Sequence, residues 1–234
     1  MSQADPRRSR IATAHPKLYL AAHVMAGVLA TALLLWGFAS IADAVGDNGR
    51  VVTADAGLTH WIEAHDTEWG ESFFTGVSLL GAPILVGIIV LAAIFYARRR
   101  DWLRAAVLPL SLASGAALNT LLKHVFHRGR PEFATEFITH ASWSFPSGHA
   151  MESLVGYGML LAVMLHEMRS ATQRRLAFAG VALLIFLIGV SRVYLAVHYL
   201  TDVVAGWLAG GAWLFVCLTA FYFAERRRTL APTK

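Results

Sequence analysis

Between Ser191 and Asp202 the chain reads SRVYLAVHYLTD, which sets Arg192, His198 and Asp202 into a run that is otherwise apolar. If the chain is helical from His198 onward, Asp202 falls one turn below the imidazole and can accept a ring N–H. A carboxylate so placed fixes the tautomer and leaves the other ring nitrogen free to attack or to take a proton. Taken alone, the three residues have a second reading, a snorkelling arginine and a core histidine satisfied by its neighbour. Two further clusters favour chemistry. The first runs from Lys123 through Arg128 and Arg130 to Pro131, and the second is Pro146-Ser147-Gly148-His149.

Each piece has a use for phosphate. Lysine and arginine bring positive charge, and the guanidinium fork matches phosphate oxygens. Pro146-Ser147-Gly148 stands where a helix is expected to begin, so unpaired backbone N–H groups and the helix dipole favour an anion there. His149 and His198 can divide acid and nucleophile roles, and only His198 has a carboxylate four residues on. Phosphoryl transfer needs mainly positioning and neutralisation of the equatorial oxygens. This set can supply both with no metal and no cofactor, and nothing in the chain resembles an H-E-x-x-H or C-x-x-C metal site.

The elements that must position these residues are membrane spans. Of 234 residues, 56% are hydrophobic and 15% charged, with a mean hydropathy of +0.54. A soluble domain averages about 45–50% apolar and about 25% charged. The length suits about six spans of about 20 residues with short loops, so an all-α integral membrane bundle forming a single domain over 1–234. Apolar runs cover about Leu18–Ala44, Phe73–Ala97 (mildly interrupted by Gly81 and Pro83), Ala105–Leu122, Ser147–His166, Leu176–Tyr194 and His198–Ala224. The first is too long for the core of a cleaved signal peptide, although Ala42-Asp43-Ala44 has the form of a cleavage site. Leu58, Trp61 and Ile62 have helical spacing within the polar stretch 45–72, which predicts a short interfacial helix. The single cysteine, Cys217, excludes an intrachain disulfide.

Charge orients the bundle. The N-terminal tail (residues 1–17), the Arg98–Arg104 turn, the Arg169–Arg175 turn and the C-terminal tail (225–234) carry the basic clusters. Six spans put them all on one side, which the positive-inside rule makes cytoplasmic. The net charge of +5 is therefore a matter of membrane orientation, not of nucleic acid. Lys123, Arg128, Arg130 and Arg192 break the rule by lying at outer ends, and an anionic ligand is the economical reason. All three clusters converge at the outer face by topology alone.

Lys123-x6-Arg130-Pro131, then Pro146-Ser147-Gly148-His149, then Ser191-Arg192-x5-His198-x3-Asp202 resembles the three-part signature of the type 2 phosphatidic acid phosphatase family. That superfamily includes membrane lipid phosphate phosphatases and soluble vanadium haloperoxidases. Every signature position is filled, over about Lys123–Asp202. The resemblance implies that His198 attacks phosphorus to form a phosphohistidine, that Asp202 orients His198, and that His149 protonates the leaving oxygen. It implies also that Lys123, Arg130, Ser147, Gly148 and Arg192 hold the phosphoryl group. Bacterial members act on phosphatidylglycerol phosphate, phosphatidate or undecaprenyl pyrophosphate, and some on lipid A. The implied protein is thus a hydrolase of the bacterial inner membrane facing the periplasm, with a lipid phosphate and the bilayer as partners and no protein partner. A lipid phosphotransferase sharing the first half-reaction is the alternative. A transporter or flippase is disfavoured, because the charges sit at span ends and no internal repeat is visible.

Around the signature, the spacing predicts simpler roles. Glu152 and Asn119 are expected to bond neighbouring helices, and Trp143 and Phe145 to anchor the outer loop at the interface. His124, His127 and Arg128 are expected on a solvated loop face, and the short loop 131–146 leaves little material for a lid.

Overall fold

The computed structural model describes residues 16–47, 49–132 and 143–230, and these contain eight helices and no strand. Arg7, Arg8 and Arg10 of the basic tail, and most of the loop weighed as a lid, lie outside the described residues. The helices are α1 (Pro16–Gly46), α2 (Arg50–Ala64), α3 (Glu68–Leu79), α4 (Pro83–Arg98), α5 (Trp102–Phe126), α6 (Gly148–Leu165), α7 (Ala171–Tyr194) and α8 (Leu200–Leu230). Six stretches are long and apolar enough to cross a membrane, with α3 and α4 together forming one of them.

Local chemistry sets the boundaries. Thr67 caps α3 by accepting the Gly70 N–H at 3.1 Å, and Glu68 and Glu71 complement its positive end. Gly81 and Pro83 do more than interrupt the second span mildly. They break it into an elbow at residues 80–82, with Pro83 starting α4 where its missing N–H costs nothing. Asp101 caps α5 and accepts Arg104 Nη1 at 2.8 Å and Arg228 Nη1 at 2.6 Å. Arg104 also reaches Glu225 at 3.0 Å, so the α4–α5 turn is tied to the end of α8.

α6 lies at the centre, packed on α5, α7 and α8, while α8 also packs on α1. Leu85, Ile89, Leu108, Met159, Val163 and Ile188 form its fully enclosed core. Outward, Leu33, Trp36, Leu91 and Leu176 are two-thirds exposed or more, which fits hydrocarbon rather than water. Glycines let α8 touch α6 backbone to backbone. A Cβ at Gly206 would stand 2.7 Å from the Ser147 carbonyl oxygen, and one at Gly210 2.9 Å from that of Met151. This small-x3-small seam brings the starts of α6 and α8 together, and with them the second and third sequence clusters.

Candidate active site

The helix of the third cluster begins at Leu200, so His198 does not belong to it. α7 ends instead in a tight turn with Ala196 in the left-handed region, φ 49°. The N–H groups of Val197 and His198 both return to the Arg192 carbonyl at 3.2 Å. The spacing between Arg192 and His198 is therefore a hydrogen-bonded loop, not a helical register. Asp202 still meets the imidazole: His198 Nδ1 lies 3.4 Å from Asp202 Oδ2. The same oxygen accepts the Tyr199 N–H at 3.0 Å and the Ser144 hydroxyl. Reaching back to an N–H just ahead of its own helix, Asp202 forms the acid half of a capping box.

With Nδ1 on Asp202, Nε2 of His198 faces Arg130, whose Nη1 is 3.5 Å away and donates to the Val197 carbonyl at 2.8 Å. Burial pushes the His198 imidazole down to about 4, against the opposing pull of Asp202. It is therefore neutral at pH 7, with its Nε2 lone pair available. Burial likewise lowers Arg130 from the ordinary guanidinium range, and Asp202 opposes that shift.

Two further cations lie nearby. Arg192 is buried on α7, with Nη1 on the Ser78 hydroxyl of α3 and Nε buried without a partner. Lys123 stands in the last turn of α5, which extends four residues beyond the expected Leu122, and donates to the Trp143 carbonyl at 2.8 Å. His149 lies within electrostatic reach of Arg192, His198, Lys123 and Arg130, and its ring borders the α3–α4 elbow at Gly81. Ser147 donates its N–H to the Asp202 carbonyl at 2.9 Å, and its hydroxyl is buried without a partner. Gly148 starts α6 beside Asn119 Oδ1 and Glu152 Oε1, 3.2 and 3.4 Å from where a Cβ would be. All eight signature residues thus come to one end of the bundle.

Three neighbours differ from the sequence expectations. Arg128 is not on a solvated face. It donates to Asp202 Oδ1 at 2.6 Å, to Asp55 Oδ2 of α2 at 2.8 Å and to Thr201 Oγ1 at 2.7 Å. Phe145 is fully buried against Phe38 and Phe126 rather than anchored at an interface. Glu152 borders the site, within electrostatic reach of Lys123. Asn119 does bond a neighbouring helix as expected, donating to Met151 Sδ of α6 at 3.7 Å, and it also donates to the Pro146 carbonyl at 3.3 Å. Ser78, Ser144, Thr201 and Asp55 were invisible as site neighbours in the sequence. Only Asp55 had a signal, because it shares the i, i+3, i+7 face of Leu58 and Ile62 on α2.

A charged cluster of this composition has relatives. The model of the PAP2 superfamily matches residues 104–226, from α5 into α8. The chain belongs to the PAP2 superfamily. Phosphatidylglycerophosphatase B of Bacillus subtilis (strain 168) is 30% identical over 176 residues, 74% of this chain and 85% of that protein. Lipid A 1-phosphatase of Rhizobium etli is 35% identical over 134 residues, 53% of this chain and 52% of that one. The crystal structure of a transmembrane PAP2-type phosphatidylglycerolphosphate phosphatase from Bacillus subtilis superposes with a TM-score of 0.72 at 27% identity, covering 87% of this chain and 98% of that one. The PAP2 match takes in Lys123, Arg130, Ser147, Gly148, His149, Arg192, His198 and Asp202, while Asp55 and Ser78 lie outside it.

Proposed function

We propose that this protein hydrolyses a phosphate monoester or pyrophosphate on a membrane lipid, without a metal, through a phosphohistidine at the outer face of the membrane. The observation that carries this is the gathering of Lys123, Arg130, Arg192 and His198 within electrostatic reach of His149, with Arg130 Nη1 3.5 Å from His198 Nε2 and with Ser147 Oγ and Arg192 Nε buried and unpartnered. Buried polar atoms without partners cost about 1–3 kcal/mol each, and a phosphoryl group would satisfy both. His198 Nε2 attacks phosphorus as the bond to the lipid oxygen breaks, and His149 gives that oxygen its proton. Water then attacks phosphorus, the N–P pair returns to Nε2, and the proton of the water passes to His149. Asp202 holds the Nδ1–H throughout.

The substrate class follows from the setting. Phosphatidylglycerol phosphate, phosphatidate, undecaprenyl pyrophosphate and lipid A are the candidates, and the relatives' names support the first and the last. Six spans and the basic turns at the opposite end support a periplasmic site in a bacterial inner membrane.

The test is phosphate release from these four lipids by detergent-solubilised protein in excess chelator, beside His198→Ala. Release that vanishes in the variant, with phosphate trapped on His198 in the wild type, is expected. Release that needs a divalent cation, or that survives in the variant, would overturn the reading. No release until a second lipid is added as acceptor would make the protein a phosphotransferase.

A further inference from the structure

Arg128 occupies a place that the phosphate chemistry does not require. Its side chain is 9% exposed, and its two carboxylate partners, Asp55 and Asp202, are 3% and 0% exposed. Both terminal nitrogens are engaged, and the guanidinium lies over the Tyr199 ring at 4.2 Å. The Arg128 carbonyl accepts the Ser144 N–H at 2.8 Å. Thr201 completes the link by donating its N–H to Asp55 Oδ1 at 3.2 Å and its hydroxyl to Asp55 Oδ2. So committed, Arg128 has both terminal nitrogens turned to carboxylates, and what it holds is the back of the carboxylate that holds His198.

We propose that Arg128, fixed by Asp55 of α2, is a positioning residue that sets both the orientation and the charge of Asp202. This rests on the phosphohistidine reading above. An Asp202 carboxylate given wholly to His198 would make the imidazole more basic. That strengthens attack on phosphorus but makes His198 a poorer leaving group when water breaks the N–P bond. Sharing Asp202 with a guanidinium balances the two steps, because Arg128 neutralises one oxygen while the other keeps the Nδ1–H. The other groups facing His198 are Arg130 from the α5–α6 connection, Arg192 from α7 and His149 from α6.

The experiment measures kcat and KM on phosphatidate in mixed micelles from about pH 4 to about pH 8. It compares the full-length wild type with Arg128→Gln, Arg128→Lys and the double variant Asp55→Asn/Arg128→Gln. The double variant guards against loss of folding, since Arg128→Gln alone leaves two buried carboxylates facing each other. Arg128→Gln is expected to lower kcat about tenfold or more, with KM within about threefold. The acid limb of kcat/KM is expected to move to higher pH by about half a unit or more, since His198 loses the restraint on its basicity. Phosphoenzyme should accumulate in the same variant, and Arg128→Lys should fall between it and the wild type. The titration of the substrate is common to all four proteins and cancels. A raised KM with an unmoved limb would make Arg128 a headgroup contact and overturn the proposal. An unmoved limb with only a loss of folded protein would make it a structural brace and overturn the proposal equally. The wild type tests the underlying reading separately. Turnover abolished by His198→Ala upholds that reading whatever the Arg128 variants do, and an inert wild type overturns both.

Discussion

His149 and His198 carry the same imidazole among different neighbours. Asp202 holds one nitrogen of His198 and points the other into the cations, whereas His149 opens α6 against the α3–α4 elbow. The acid role assigned to His149 has a consequence that depends on the leaving group. General acid catalysis contributes about 10²–10⁴-fold. His149→Ala is therefore expected to slow release from phosphatidate about 100-fold or more, and from an activated aryl phosphate about tenfold or less. Parallel kinetics on the two substrates decide it, and equal losses would remove the acid role. Lys123, Arg130 and Arg192 stood out in the sequence because basic side chains at span ends away from the basic turns call for a ligand. The role of Arg128 was not legible, since a basic residue beside Gly129 reads as loop and its partner Asp55 lies 73 positions away. Pairing over that distance is tertiary information. The one local trace was a carboxylate on the apolar face of α2.

At the level of helices, the six apolar runs gave the spans, and the ends differed where backbone chemistry overrides hydropathy. α5 runs on through Lys123 to Phe126, the second span breaks at an elbow, and α8 begins after His198. A window of apolar residues has no means of registering a turn closed on the Arg192 carbonyl. The contact of α6 with α8 is the packing on which the site depends most directly. Gly206→Ala would press a methyl group on the Ser147 carbonyl oxygen, where a Cβ stands at 2.7 Å. Overpacking of this kind costs about 1–3 kcal/mol. A fall in the thermal midpoint of about 2–10 °C in detergent is expected, together with a lower kcat. Gly180→Ala on α7, where a Cβ meets nothing within 4 Å, serves as the control and is expected to change neither. Equal behaviour of the two variants would show that the seam has slack.

Across the whole molecule, charge is divided between two ends. One end carries Asp101, Arg104, His166, Glu225 and Arg228, linked by ion pairs, and the other carries the site. Sidedness can be read directly because Cys217 is the only cysteine and is buried. With a membrane-impermeant thiol reagent on intact cells, Glu63→Cys on α2 is expected to react, and Arg98→Cys at the end of α4 only after lysis. The reverse pattern would turn the site toward the cytoplasm.

The seam between α6 and α8 bears on how such a site can diversify. Ser147 and Asp202 are joined main chain to main chain at 2.9 Å, and Gly206 lies against the carbonyl of the same serine. His149 and His198, the proton donor and nucleophile of the proposed reaction, therefore stand on one wall joined backbone to backbone. On the proposed reading, accommodation of a bulkier or smaller headgroup would fall to the other neighbours of the site, the α3–α4 elbow and the end of α5. If the proposed reaction holds, reactivity and taste belong to different parts of the fold, and the second is free to drift through new substrates while the first stands still.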